Sequence, residues 1–374
     1  MKYYCSRKFD DAEVKLYNGT LTSCCKATPV RVPLSEIKKY PVGFFNNTAT
    51  IDERRRMLAG EKLDSCDYCW QLEDRGLKSP RRDGDITSLV NKPKTLQIST
   101  SNTCNLTCVY CDKSFSSAWQ RDFQTNGSYD IGSKEVRFNI TNMDKLYFAL
   151  SQKQLSNTKY HDIITQQLTE CDNLTEVNIV GGEPLLYSGL EQLVSSLSSA
   201  KEVVIYSGLG VSNSRLRSVL STLPSDIKFV ISAETVDKYY EFNRYGYSYE
   251  NFKLNFNTLR THTKNIEFNC VLGNTTLLGH AEFIKQYGEY GRINTLLKDP
   301  SFMQTRHLDD QSKDTIAKEL SVFPELTNTV NSMWDSTDEE SRIMLFKYLA
   351  EFARRRTIRL SDVFSKSFID WISR

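Results

Sequence analysis

The stretch Asn102–Lys113 reads NTCNLTCVYCDK and sets cysteines at 104, 108 and 111 in the spacing C-x3-C-x2-C. Three thiols cannot all pair with one another, so a disulfide account leaves one over. Three thiolates can instead hold three irons of a cubane [4Fe–4S] cluster, with the fourth iron open to a small molecule. Catalytic zinc sites follow the same logic, because their unfilled position is the reactive one. Zinc here would need a fourth ligand nearby, and the histidines at 161, 262, 280 and 307 are all remote in sequence. Three unligated core cysteines are the remaining alternative, and the polar neighbours Asn102, Asn105 and Asp112 argue against it.

The segments around this loop set the fold class. TLQIST, just before it, alternates as a strand, and TEVNIVGG, KEVVIYSG, DIKFVISAE and NIEFNCVL follow as short β-branched or aromatic runs. SGLEQLVSSLSSA, SNSRLRSVLSTL and SYENFKLNFNTLRTH stand between them with helical character. Strands alternating with helices predict βαβ units and a parallel sheet. Residues just past each strand's C-terminal end then line one rim. Period-two alternation turns Ser232 and Glu234 of the fourth strand inward, together with Glu267 and Asn269 of the fifth. The chain past about residue 296 reads as helical, EESRIMLFKYLAEFARRR most clearly, with its ARRR run at 353–356 on a solvated face. A helix is expected over Thr50–Leu63. The long connection at 112–150, carrying Trp119, Arg121 and Phe123, is a candidate for substrate recognition or a lid.

The cysteine spacing after a first strand, with Tyr110 before the last cysteine, resembles the radical S-adenosylmethionine (SAM) superfamily. Gly181-Gly182-Glu183-Pro184 at the end of the second strand agrees with that family's GGE segment. The resemblance implies an α/β fold: a partial (β/α)6 barrel over about 91–295, an N-terminal cysteine-rich module over 1–90 and a helical region over 296–374. It implies that Cys104, Cys108 and Cys111 carry a [4Fe–4S] cluster that binds SAM. An electron from the cluster would cleave SAM to a 5′-deoxyadenosyl radical, which takes a hydrogen atom from substrate. Gly181, Gly182 and Glu183 would hold the SAM amino group; glycine lets backbone carbonyls approach a ligand, and Glu183 offers an ammonium a negative partner. By the same resemblance Tyr110 lies near adenine, Ser207 and Ser232 match SAM-contacting positions, and Arg244 pairs the SAM carboxylate. Glu234 and Asn274 take rim positions in the same cofactor site. Relatives often have Asn-Gly where this chain has Ser207-Gly208.

A second set of cysteines precedes the barrel. Cys66-Asp67-Tyr68-Cys69 is a C-x2-C pair, and Cys5 and Cys24 bracket Gly19 as C-x13-G-x4-C. YNGTLTSCC has the strand, Asn-Gly, strand signature of a hairpin. The set resembles the twitch or SPASM auxiliary-cluster modules of the same superfamily, which in most relatives follow the barrel. Cys5, Cys24, Cys66 and Cys69 would hold an auxiliary [4Fe–4S] cluster, for electron relay or structure. Cys25 is an alternative to Cys24, and a zinc ion held by four cysteines is the competing metal. Cys171 and Cys270 read as buried core residues, with hydrogen-atom donation to a substrate radical as the alternative.

Composition bounds the rest. The chain has 374 residues, ten cysteines and a net charge of +2, so no global field draws it to nucleic acid or an anionic membrane. No apolar run approaches a membrane span, and the charged start MKYYCSRKFDDAEVK has no signal-peptide core. The expected location is the cytoplasm, where thiols stay reduced. The expected partners are a reductant such as flavodoxin or ferredoxin and a substrate. That substrate is a peptide or protein side chain, with Trp119, Arg121, Glu267 and Asn269 as candidate contacts, or else a small metabolite or nucleotide. A zinc-knuckle RNA binder is the contrasting class, but Asp64, Asp67, Glu73 and Asp74 surround Cys66–Cys69 and oppose phosphate binding.

Overall fold

A computed structural model of the chain describes residues 3–24, 26–76, 78–84, 88–131 and 158–374. Cys25 and most of the connection after Ile131 lie outside the described residues. The described strands are β1 (Asp11–Lys15), β2 (Thr20–Thr22), β3 (Val30–Arg31), β4 (Thr95–Ser99), β5 (Thr107–Cys108), β6 (Glu176–Val180), β7 (Val203–Ser207), β8 (Lys228–Ser232), β9 (Arg244–Tyr245), β10 (Ile266–Leu272) and β11 (Gly291–Leu296). The fold is mixed α/β with parallel sheet, and the chain divides into two compact units.

The first unit comprises Met1–Asn102, Leu150–Tyr206 and Val219–Lys228. Its strands run in the order β7-β6-β4-β1-β2-β3. β4, β6 and β7 are parallel, as the strand–helix alternation predicts. β1 and β2 form the antiparallel hairpin signalled by Asn18-Gly19, with Val14 opposite Leu21. The Asn18 side-chain oxygen accepts from the Thr20 amide at 3.0 Å. β1 also pairs in parallel with β4, Asp11 beside Thr95 and Lys15 beside Ser99. The sequence boundary at residue 90 is therefore not a break in the sheet. Buried Ala12 and Val14 give β1 an apolar side, and the β4 edge offers backbone groups that must be paired.

The helix expected at Thr50–Leu63 runs Thr48–Leu58. Its start is set by Asn47, whose side chain accepts from the Thr50 amide, a cap that satisfies a free N–H of the first turn.

The second unit comprises Thr103–Ala149, Ser207–Ser218 and Phe229–Arg374. Here the strand order is β11-β10-β8, all parallel, beside a two-residue antiparallel ribbon of β5 with β9. In β10, Ile266, Phe268, Cys270 and Leu272 are buried while Glu267, Asn269 and Val271 are half-buried, the alternation that period two requires. Phe268 packs on Phe256 of the helix Tyr249–His262 and on Phe283 and Tyr287 of the helix His280–Tyr287. Each such buried ring contributes about 2 kcal/mol.

The region after 296 is helical, as expected, over Asp310–Leu320, Thr327–Ser332, Glu339–Arg355, Leu360–Val363 and Lys366–Ile372. The reading of 353–356 as a solvated face needs correction. Arg354 is exposed, but the side chains of Arg355 and Arg356 are 1% and 4% exposed. Arg355 donates to Asp122 at 3.1 Å, to the Gly127 carbonyl at 3.0 Å and to the Ser128 carbonyl at 2.9 Å. Its guanidinium also lies over the Tyr129 ring at 3.8 Å. A buried guanidinium is tolerated because its donors are occupied and its plane is stacked. No described helix is long and apolar enough to cross a membrane.

Candidate functional site

The loop that carries Cys104, Cys108 and Cys111 is held at nearly every turn of its backbone. Thr107–Cys108 pairs with Arg244–Tyr245 as the β5–β9 ribbon. The Val109 amide donates to the Asn243 carbonyl at 2.9 Å. Three side chains then take carbonyls of the loop: Ser116 on Leu106 at 2.7 Å, Trp119 on Cys108 at 3.0 Å and Tyr348 on Val109. The Ser117 hydroxyl accepts from the Cys104 amide and donates to the Cys104 carbonyl. Gly246 has φ +112°, and a Cβ there would lie 2.8 Å from the Asn105 carbonyl oxygen. Only glycine lets the two segments approach this closely.

Within this loop the thiols lie in electrostatic reach of one another. Burial pushes the Cys111 thiol well up, and the charges of Cys108, Asp112 and Cys104 push it further. The Leu106 amide donates to the Cys104 sulfur at 3.4 Å. Among the described residues no group of three or more His, Cys, Asp or Glu side chains is arranged to hold a metal ion. The donor set is three soft sulfurs on a fixed loop, which suits an iron–sulfur centre.

Beside the loop the structure brings together three predicted residues. Arg244 pairs with Glu234 at 2.6 Å, and both side chains are buried. The Tyr110 hydroxyl donates to the other Glu234 oxygen at 3.1 Å, and the Arg244 guanidinium lies over the Tyr110 ring at 5.7 Å. Burial raises the Tyr110 phenol well above its ordinary range, outweighing the opposing pull of Arg244. Arg244 is kept charged: Glu234, Tyr110 and Cys108 together overcome its burial penalty. Its Nε is buried with no hydrogen-bond partner among the described residues, so the guanidinium keeps a donor for another acceptor. The expected pairing of Arg244 is thus met in this structure by Glu234.

Other predicted positions divide. Ser232 is half-buried and lies beside Asn269 in the β8–β10 register. Glu267 is two residues before Asn269 on the same half-exposed face. Ser207 is buried, and its hydroxyl accepts from the Leu209 amide at 2.9 Å. Asn274 is turned to the chain itself: its amide donates to the Phe302 carbonyl at 3.1 Å and the His307 carbonyl at 3.3 Å, and its oxygen accepts from Thr275. Trp119 is not exposed to a substrate. It is wholly buried against Phe123, Tyr129 and Phe352, because a ring of this size gains most by burial and its N–H finds the Cys108 carbonyl. Arg121, two positions along the helix Ser117–Asn126, is exposed. Cys171 and Cys270 are buried, as expected of core thiols. Sequence reading missed Tyr348 and Arg356, which donate to the Val109 carbonyl and the Thr107 hydroxyl of the loop. The one available signal was Tyr348 on the apolar face of its helix.

The GGE segment belongs to the first unit. Gly181 has φ +152°, and a Cβ there would lie 2.7 Å from the Ser101 carbonyl oxygen and 2.8 Å from the Thr100 hydroxyl. The Gly182 amide donates to the Ser101 carbonyl at 2.7 Å. Glu183 is buried and accepts from the Leu185 amide at 3.2 Å, capping the short turn Pro184–Leu186. The segment after β6 is thereby tied to the segment after β4, at the C-terminal ends of adjacent parallel strands.

Cys5, Cys24, Cys66 and Cys69 also gather in the first unit. Burial raises the Cys69 thiol to about 11, and Cys24, Cys5 and Cys66 add to the shift. Lys8 acts in the opposite sense on Cys66; its ammonium is 3% exposed and pairs with Glu53 at 2.8 Å. The Arg82 amide donates to the Cys5 sulfur at 3.5 Å. Cys5 and Cys66 pack with Tyr4, Phe9, Met57 and Leu63 in one apolar cluster. The four thiols thus lie in one partly apolar region of this unit, with the Arg82 N–H on Cys5 and the Lys8 charge acting on Cys66.

No family model matches the sequence, and no curated protein matches it. Among solved structures, one of TYW1 with a lysine–pyruvate adduct bound is 14% identical, with a TM-score of 0.34 over 62% of this chain and 74% of that one. A structure of anSMEcpe with bound AdoMet and the Cp18Cys peptide is 14% identical, with a TM-score of 0.39 over 64% and 62%. Streptococcus suis SuiB bound to S-adenosylmethionine is 12% identical, with a TM-score of 0.36 over 84% and 68%.

Proposed function

We propose that this chain is a radical SAM enzyme, with its reactive cluster on Cys104, Cys108 and Cys111. The observation that carries the reading is the trio itself, on a loop whose backbone is fixed by the β5–β9 ribbon and by Trp119, Ser116 and Tyr348. Bound there, a [4Fe–4S] cluster would supply a reducing electron and an open iron for SAM. The chain's own part is positional. Tyr110, Glu234 and Arg244 form a charged, hydrogen-bonded floor next to Cys108. Arg244 retains one donor for a carboxylate. Gly181, Gly182 and Glu183 are proposed to hold the SAM amino group, from a segment whose close approach to Ser101 requires glycine at 181 and whose Glu183 carboxylate accepts from the Leu185 amide. Ser232, Glu267 and Asn269 offer polar groups on the half-exposed face of β8 and β10.

Cys5, Cys24, Cys66 and Cys69 are proposed to hold a second, fully ligated [4Fe–4S] cluster in a twitch-like module. With no open iron, that centre serves electron relay or the fold. The proposed substrate is a peptide or protein side chain, and the proposed reductant is of the flavodoxin or ferredoxin kind.

Anaerobic iron and sulfide quantitation tests the reading. About eight irons per chain is the expected result, about four means one cluster, and zinc without iron defeats it. Incubation with SAM and dithionite should then release 5′-deoxyadenosine. Replacement of Cys104, Cys108 and Cys111 by Ala should abolish that product, and its persistence would refute their role.

A further inference from the structure

Among the described residues the second unit's sheet ends at β11, and no described strand pairs with its outer edge. None of the residues Gly291–Leu296 is buried, although β10 beside them is buried at every second position. The Leu297 amide donates to the Leu272 carbonyl at 2.8 Å, which places the odd-numbered amides of this segment towards β10. By alternation, the N–H and C=O groups of Arg292, Asn294 and Leu296 point away from the sheet. No hydrogen bond is formed by these six outward groups among the described residues.

An exposed edge is usually protected by charge, proline, a bulge or a covering segment. On the face that continues Glu267 and Asn269, β11 presents Gly291, Ile293 and Thr295. None of the three is charged, and Ile293 is 39% exposed. The register runs Ser232 beside Asn269 beside Ile293, so one row of side chains crosses β8, β10 and β11 and stops at the edge. A strand laid against β11 would extend this row at ordinary strand spacing, about 4.8 Å further out.

We propose that β11 is a docking edge for an extended segment of a polypeptide substrate, which joins the sheet as an added strand. This rests on the reading of a peptide substrate above. The unpaired ladder is matched by another extended backbone and by little else, since its N–H and C=O groups recur at strand spacing. Alternate side chains of the docked segment would then project over the Ser232–Asn269 face, where the proposed chemistry needs a C–H bond, and the others would point to the opposite face. Recognition through the backbone makes docking tolerant of sequence, with specificity left to the side chains that meet Ile293 and Asn269.

The test uses the cluster-loaded full chain under anaerobic conditions and a pool of fluorescein-labelled random peptides of about ten residues. Fluorescence anisotropy reads binding, and amide hydrogen exchange reads protection over 291–297. Asn294→Pro removes an outward N–H without touching the pairing to β10, the placement in which strands accept proline. The expected result is that the pool binds wild type, slows exchange at the β11 edge, and binds Asn294→Pro at least about tenfold more weakly. Thermal unfolding and 5′-deoxyadenosine formation without peptide should be unchanged in the variant, which separates this proposal from the enzymatic one. Wild type that binds no peptide, or a variant that binds equally, overturns it. Light scattering gives a further refutation: a wild-type dimer that Asn294→Pro dissolves would assign the edge to a second copy of the chain. Should Asn294→Pro unfold, Asn294 replaced by N-methylalanine through semisynthesis, or Thr295→Lys, poses the same question with the strand intact.

Discussion

Arg244 Nη2 lies 2.6 Å from Glu234 Oε2, in a pair whose side chains are 5% and 0% exposed. Arg244 begins β9, which pairs with the cysteine loop at Cys108, and Glu234 follows β8. The pair therefore links the loop to the sheet. Breaking one partner leaves the other buried and charged, so Arg244→Met alone is expected to cost about 3–5 kcal/mol. The double replacement Glu234→Gln with Arg244→Met should cost less than the sum of the single changes. Urea unfolding of the four proteins in a double-mutant cycle measures this, and strict additivity would show that the pair is not coupled.

Arg355 and Arg354 are neighbours with opposite roles. Replacing Arg355 by Met removes a charged partner of Asp122, which keeps Tyr129 and Asn126 as donors, and a donor to each of two backbone carbonyls, which should destabilise the chain by about 2–4 kcal/mol. Arg354→Ala should change stability by no more than about 0.5 kcal/mol. Hydrogen exchange should also quicken over 104–111 in the first variant alone, because Asp122 sits on the helix that supplies Trp119 and Ser117 to that loop.

Gly181→Ala meets both a strained backbone angle and the Ser101 carbonyl. Gly76→Ala has a positive φ of +72° but open space around its Cβ. The second should therefore cost about 1 kcal/mol, and the first clearly more. Equal midpoints in urea would mean that the approach of Gly181 to Ser101 relaxes freely.

His280 makes stability depend on pH. It is wholly buried, its Nδ1 bonds to the Glu234 carbonyl at 2.7 Å, and its Nε2 has no partner among the described residues. Burial lowers its folded value from 6.5 to about 4. The unfolded chain thus binds a proton that the folded one refuses between those values. Stability is full above the unfolded pKa and falls as pH drops from 6.5 towards 4, by about 2 kcal/mol at about pH 5. His307, lowered to about 4 by burial, acts in the same direction. Unfolding in urea at about pH 7 and about pH 5 should show the loss, and His280→Gln should shrink it; an unchanged slope would remove His280 as the cause.

Much of the local structure in both units was legible from sequence pattern. The alternation in Ile266–Leu272 named the buried and half-exposed faces of β10 before any contact was known, since neighbouring strand residues face opposite ways. Asn18-Gly19 named the hairpin because few dipeptides suit so tight a turn. The helix start near Thr50 was set two residues late because the cap is Asn47, and capping geometry shows only in the folded backbone. The pairing of β1 with β4 was not legible at all. It joins residues about eighty positions apart, and nothing local in DAEVK states which edge it will meet.

The sequence by itself determined the local pattern: which thiols lie close along the chain, which segments are strands, and where glycine is required. These follow from covalent spacing and from preferences of a few adjacent residues. Only the tertiary structure decided the partners. It turned Arg355 inward to Asp122, Trp119 to the Cys108 carbonyl, Asn274 to backbone, and Arg244 to Glu234, and among the described residues it left β11 at the edge of its sheet. Long side chains such as arginine bury or expose at similar cost until a specific acceptor is present, and acceptors arrive from distant parts of the chain only when it folds.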